Sequence, residues 1–234
     1  LCDGWVHPGT KIALKGAGPI ITCNRKRKDK YEYYFREGCS GSEVLTRTMQ
    51  RVFGQAKVEE GLDIRKGLHY DLRNKRVYEH EKKRVKSRCT FLDHWSPPCT
   101  TNTRANRSRI RRWKDEPYGR CQDADLMQDS VVQVRVENLA EMKHLVGDFF
   151  VIEHIWPTTM VQMDCFQRLL SLPGVFMITF DNCPYGELYR HRQVLITNLP
   201  ILAQLSRNCG DLPPHRHAVV GVDVPTGAVS PFSQ

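Results

Sequence analysis

The chain has 234 residues, 40% of them hydrophobic, with 35 Lys and Arg against 26 Asp and Glu for a formal charge of +9. That length suits one sizeable α/β domain with decorations, and no apolar run is long enough to cross a bilayer or serve as a signal peptide. Nine cysteines without regular spacing argue against a disulfide scaffold and for a reduced intracellular protein, with thiols left for catalysis or metal.

Leu1–Lys30 reads as an N-terminal extension with one short strand at Ile20–Cys23, and the missing initiator Met predicts a domain cut from a longer polypeptide. Tyr31–Arg36 has strand composition, and Glu37–Ser42 supplies Gly38 and Gly41 for a turn. Ser42–Phe53 then puts Val44, Leu45, Met49 and Val52 on one side of a helix. A second strand is expected at Ala56–Ile64, ending in Asp63, then a helix over Lys75–Lys86 and a third strand over Cys89–Ser96 that runs into Pro97-Pro98-Cys99. Thr100–Gln122 is polar, basic and irregular, as long functional loops are. Ala124–Leu145 recovers helical spacing through Val131, Val134, Val136, Leu139 and Leu145. A strand at Phe149–His154, a helix at Val161–Leu172 and strands at Val175–Phe180 and Val194–Asn198 complete the domain, which spans 31–200 with a tail over 201–234. Alternating strands and helices predict a Rossmann-like α/β fold, a doubly wound, mostly parallel sheet.

Ligands of such sheets lie at the carboxyl ends of the strands. The turn Glu37-Gly38-Cys39-Ser40-Gly41-Ser42 can bring backbone amides to a ligand, although glycine serves an ordinary tight turn equally well, and the GxGxxG spacing of a dinucleotide site is missing. Asp63 stands where an acid would accept hydrogen bonds from a ribose and Asp71 where one would take an adenine amino group; for each the alternative is a turn cap. Cys99, behind two prolines at a strand end, is placed for nucleophilic attack. Basic runs at Arg25–Lys30, Lys82–Arg88 and Arg104–Lys114 suit an anionic partner or a solvated surface.

From Tyr31 to Asn198 the order of these segments resembles the S-adenosylmethionine-dependent DNA methyltransferases that modify carbon 5 of cytosine. Ser96-Pro97-Pro98-Cys99 is similar to their nucleophile motif, Val151-Ile152-Glu153-His154 to their Glu-Asn-Val segment and Tyr185–Arg192 to their Tyr-Gly…Gln-x-Arg-x-Arg segment. The trio Ser-Pro-Pro-Cys-Thr-Thr, Val-Ile-Glu-His and Asp-Asn-Cys-Pro-Tyr-Gly also resembles divergent methyltransferase-like domains of eukaryotic retroelements and viruses.

The resemblance implies a class I methyltransferase fold in a nuclear protein, with S-adenosylmethionine held by Glu37, Gly38, Cys39, Ser40, Gly41, Asp63, Ile64, Asp71, Leu72, Ser96 and Pro97. It implies catalysis by Cys99 and Glu153 with Arg190 and Arg192, on a flipped or single-stranded base of a nucleic acid, DNA before RNA. Arg104, Arg107, Arg109, Arg111 and Arg112 would grip phosphates. Three departures qualify it: His154 replaces the family's Asn, Arg190 and Arg192 sit one residue out of step, and no long target-reading insert follows Asn198. Transfer to an exocyclic amino group, or a catalytically silent nucleic-acid-binding domain, are the alternatives.

A second constellation, Cys183, Cys209, His215 and His217, offers two thiolates and two imidazoles for a structural zinc that would tie the tail to the domain. The alternative is two buried cysteines with two exposed histidines; Cys165 and His191 are spare candidates.

Overall fold

The structure, a computed structural model, describes residues 31–99, 101–102, 116–119, 123–189 and 191–217. The extension over 1–30, the strand expected at Ile20–Cys23, the phosphate-gripping arginines between 104 and 112, Arg190 and the tail beyond His217 lie outside the described residues. Within them, strands β1 (Tyr33–Gly38), β2 (Thr90–Trp95), β3 (Phe149–Ile155), β4 (Phe176–Asp181) and β5 (Arg192–Thr197) form one sheet in the order β1-β2-β3-β5-β4. β1, β2 and β3 pair in parallel, whereas β5 is antiparallel to both β3 and β4. The first four strands therefore point the same way and β5 alone is reversed. The result is the mostly parallel Rossmann-like α/β sheet expected, with the carboxyl ends of β1 to β4 and the start of β5 on one edge.

Helices α1 (Val44–Phe53), α2 (Lys75–Lys86), α3 (Ala124–Leu145) and α4 (Asp164–Ser171) connect the strands. The chain leaves β1 towards the outer edge, where the segment around Val58 and Leu62 bridges to it, and leaves β2 the other way towards β3, so right-handed crossovers place α1 on one face and α3 with α4 on the opposite face. The main core lies on that second face, where Val136, Leu139, Phe166 and Leu169 meet Trp95, Phe150, Ile152 and Ile196.

Three sequence expectations change. The strand at Ala56–Ile64 is reduced to two isolated parallel bridges to β1, Phe35 with Val58 and Gly38 with Leu62, after a 3-10 turn at Gln55–Lys57. Between the two bridges β1 advances three residues and the segment four, so the register slips by one and no continuous ladder forms; Gly61 lies in that slip, packed where a Cβ would sit 2.8 Å from the Ser40 hydroxyl. Val44 and Val52 of α1 are 60% and 47% exposed. The residue α1 buries is Thr46, whose amide donates to Glu37 Oε2 at 2.9 Å, so the β1 carboxylate caps α1 across the turn. Val131 and Val134 face outward, while the buried stripe of α3 includes Gln133, Glu137 and Lys143.

Glu137 titrates unusually. Burial, reinforced by Glu141 and opposed by Arg168, pushes its carboxyl up to about 7 from an ordinary 4.5, and among the described residues its Oε1 has no hydrogen-bond partner. A folded pKa above the unfolded one means this group costs nothing below pH 4.5, and that stability is lost as pH rises from there to about 7. Allowing for solvent screening, the loss is on the order of 1–2 kcal/mol. Glu137→Gln is expected to unfold at a higher temperature than the parent at pH 8 and to lose that advantage at pH 4, measured by thermal denaturation at both.

Candidate active site and metal site

The loop after β2 is held from below by α3. Gln133, fully buried, donates its side-chain amide to the Pro98 carbonyl at 3.0 Å. One turn earlier Asp129 accepts the Thr101 hydroxyl at 2.8 Å. The loop also closes on itself through Asn102 N–H to the Cys99 carbonyl at 3.0 Å, and the Asn102 carbonyl takes the amide of Thr159 at 3.1 Å. Cys99 is thus a half-buried thiol on a braced loop. Burial raises its pKa, a local backbone hydrogen bond opposes the rise, and the carboxylates of Asp129 and Glu153 add to it. Among the described residues no arginine offsets them.

Glu153 projects from β3 on the face opposite the main core, and His94 of β2 donates to it from Nε2 at 3.2 Å. Burial alone would raise the Glu153 carboxyl, but hydrogen bonds from His94 and Ser96 and the nearness of His94 and His154 outweigh it and hold the group below the ordinary range. It is therefore an acceptor at neutral pH. His94 carried no signal in the sequence beyond its place five residues before Cys99, and Gln133 carried none, lying off the stripe that Val131 and Val134 suggest.

The first turn is closed. Its backbone adopts positive φ at Cys39, Gly41 and Glu43, and Trp95 lies flat against Gly38. The amides of Cys39 and Ser40 both donate to the Leu62 carbonyl, at 2.6 and 3.4 Å, and that of Glu43 to the Ser40 carbonyl at 2.8 Å. Gly41 N–H donates to Asp63 Oδ2 at 2.7 Å, while Asp63 Oδ1 caps the next turn through Arg65 N–H at 2.9 Å. Asp71 likewise caps its own turn through Arg73 N–H at 2.8 Å and pairs with the Arg73 side chain. Both acids thus take the cap role left open by the sequence. Ile64 opens the turn that Asp63 caps and is 46% exposed, and Leu72 is buried in the core. In this conformation the amides of Cys39, Ser40, Gly41 and Glu43 and both acids are bonded to the protein itself, and the buried Ser40 hydroxyl has no hydrogen-bond partner among the described residues, so a donor held here would have to take over bonds the turn now makes internally.

Arg192 does not reach towards Cys99. Its guanidinium forks onto Asp181, Nε to Oδ1 at 2.9 Å and Nη2 to Oδ2 at 3.0 Å. The positive charge expected beside the thiol therefore does not come from this residue.

At the far end of the same edge, one ligand atom from each of Cys183, Cys209, His215 and His217 falls within a sphere where all lie within 4.8 Å of one another. Cys209 Sγ lies 3.7 Å from His215 Nε2 and 3.4 Å from His217 Nε2. Metal–sulfur and metal–nitrogen bonds of about 2.3 and 2.0 Å at a tetrahedral angle would set that separation at about 3.5 Å. His215 Nδ1 lies 2.9 Å from the Pro213 carbonyl, which fixes the proton there and leaves Nε2 bare towards the cluster. Burial and then Cys209 push the Cys183 thiol up to about 11, so a cation bound here must displace protons. These four residues can hold a metal ion. Cys165 is buried 3.9 Å from the Tyr118 hydroxyl, apart from this set.

No protein-family model matches the chain, and neither does any curated protein. Among solved structures it is similar to the S. pombe Dnmt2 methyltransferase, with 12% identity and a TM-score of 0.40 over 74% of this chain and 54% of that one. A mutant DNMT2 of Spodoptera frugiperda gives 13% identity and a TM-score of 0.39 over 82% of this chain and 55% of that one. The chain spans about half the length of each, and likeness this weak adds nothing to what the sheet topology already states. Among the described residues no helix is long and apolar enough to cross a membrane.

Proposed function

We propose that the chain is a methyltransferase-type domain that takes a nucleic-acid base at the carboxyl edge of its sheet, with cytosine as the base and Cys99 as the nucleophile. The observation that carries this reading is the braced Pro97-Pro98-Cys99 loop beside an ionised Glu153 on the neighbouring strand. A carboxylate there accepts from the cytosine amino group and repels the carbonyl edge of thymine or uracil. Attack of the Cys99 thiolate, its proton given up to solvent, on carbon 6 forms the carbon–sulfur bond and breaks the C5–C6 π bond, moving its electrons towards carbon 5, and is easier when N3 is protonated and donates to the Glu153 carboxylate. The raised thiol requires a cationic neighbour for this, a role we assign to the 104–112 arginines and Arg190. The cluster at Cys183 is read as a structural Zn²⁺ site, by its two thiolates and two imidazoles in tetrahedral reach. A nuclear location fits this function.

The closed first turn favours a second reading, a base-binding domain that transfers no methyl group. Two trapping substrates separate the two. DNA carrying 2-pyrimidinone, which accepts a thiolate without any methyl donor, is expected to form a covalent complex with the protein that Cys99→Ser abolishes. DNA carrying 5-fluorocytosine forms a stable complex only after a methyl group has been transferred, and is expected to trap in the presence of S-adenosylmethionine. Trapping of the first substrate without the second establishes the donor-free domain; trapping of neither removes Cys99 from catalysis.

A further inference from the structure

We propose that Asp181 is a positioning residue that couples the metal set to Arg192 and, through it, to the segment that follows Glu153; this rests on the reading that Cys183, Cys209, His215 and His217 bind Zn²⁺. Asp181 ends β4 and is wholly buried. Its carboxylate serves two masters: the Arg192 guanidinium, held through both oxygens, and the backbone N–H of the ligand Cys209, which donates to Oδ2 at 2.8 Å. Arg192 reaches the same loop a second time, from Nη2 to Asn208 Oδ1 at 3.3 Å, and the Asp181 amide donates to the Arg207 carbonyl at 3.0 Å.

The guanidinium takes one acceptor site on each oxygen, and of the sites left to the carboxylate one is filled by a ligand's own amide, which is the informative bond. Cys209 is the residue both histidines approach, and the carboxylate that fixes its backbone fixes where its sulfur points. On the other side, Arg192 is the first residue of β5, and its carbonyl accepts the Trp156 amide at 2.8 Å. That bond extends the β3–β5 ladder past Ile155, two residues beyond Glu153. The path from metal to active-site strand is therefore Cys209, Asp181, Arg192, Trp156, each step a hydrogen bond. Coupling of this kind is reciprocal: what metal loss costs the Arg192 fork, fork loss costs metal affinity.

The test uses the whole chain, loaded with Zn²⁺ or stripped with a chelator, and reads amide hydrogen exchange together with Zn²⁺ affinity by competition against a chromophoric chelator. Stripping is expected to speed exchange at Trp156 as well as at Cys209, by about tenfold or more, since the bond at Trp156 then loses its anchor. Asp181→Asn is expected to weaken Zn²⁺ binding by about 10–100-fold and to leave Trp156 exchange insensitive to metal. Arg192→Gln, which spares every ligand, is expected to weaken Zn²⁺ by a smaller factor of about 3–10 and covers the case in which Asp181→Asn does not fold. A chain that binds Zn²⁺ but shows the same Trp156 exchange loaded and stripped overturns the coupling alone. A parent chain that binds no Zn²⁺ overturns the metal reading and the coupling with it.

Discussion

Replacing Lys143 with Met is expected to destabilise the fold by about 3–5 kcal/mol, the usual cost of leaving one member of a buried ion pair alone. Lys143 is 1% exposed on α3. Its ammonium lies 3.3 Å from Asp93 Oδ2, donates to the Thr90 hydroxyl at 2.8 Å and also bonds the Thr90 carbonyl. The Thr90 hydroxyl in turn donates to Asp93. All three donors of the ammonium are engaged on β2, so α3 is locked to the centre of the sheet by one side chain. Methionine preserves the volume of the stem but takes the nearest cation from the buried Asp93 carboxylate, which keeps only the Thr90 hydroxyl and the more distant charge of Arg36. The measurement is urea unfolding of the single variant and of the double variant Lys143→Met with Asp93→Leu. The double variant should recover most of the loss, since an apolar pair of similar volume replaces a buried ion pair at little cost. Two single-site losses that simply add would show that the pair does not act as a unit.

The sequence shows why Lys143 went unnoticed. Helices Lys75–Lys86 and Ala124–Leu145 are found with the bounds their composition predicts, because long runs uninterrupted by Gly or Pro declare themselves locally. Which face of α3 is buried was less legible. Its valines at 131 and 134 suggested one stripe, yet contact with β3, α2 and α4 selects another that includes Gln133, Glu137 and Lys143. A polar residue in a core stripe has a partner that only the tertiary fold supplies: Pro98 for Gln133, Asp93 and Thr90 for Lys143.

The candidate site divides in the same way. Cysteine and histidine advertise metal by residue type, so the four that converge at Cys183 were legible across 34 residues of chain from Cys183 to His217. Asp63 and Asp71 did not announce whether they face a ligand or cap a turn, since the same side-chain geometry serves both and the choice depends on where neighbouring amides point. Asp181 sits inside a quoted motif, but its partner Cys209 is 28 residues away.

Gly38→Ala is expected to cost about 3 kcal/mol, at the upper end of ordinary core overpacking. Gly38 ends β1 opposite Trp95 at the end of β2, and a Cβ there would sit 2.1 Å from two carbons of the indole ring. Trp95 is 2% exposed within the main core, so the ring has no solvent side to swing into. Gly54→Ala provides the contrast: nothing lies within 4 Å of its Cβ, and only its φ of +87 opposes the change, for a loss of about 1 kcal/mol. Denaturant titration of both variants checks the ranking, and adding Trp95→Leu to Gly38→Ala should make the second substitution far less harmful than it is alone. If the two losses add instead, the indole is not the obstacle. The ring that forbids a side chain at Gly38 also backs the turn whose first amide, that of Cys39, bonds Leu62. A ligand that opens this turn must therefore pull its amides from Leu62 and Asp63, with Trp95 packed behind them.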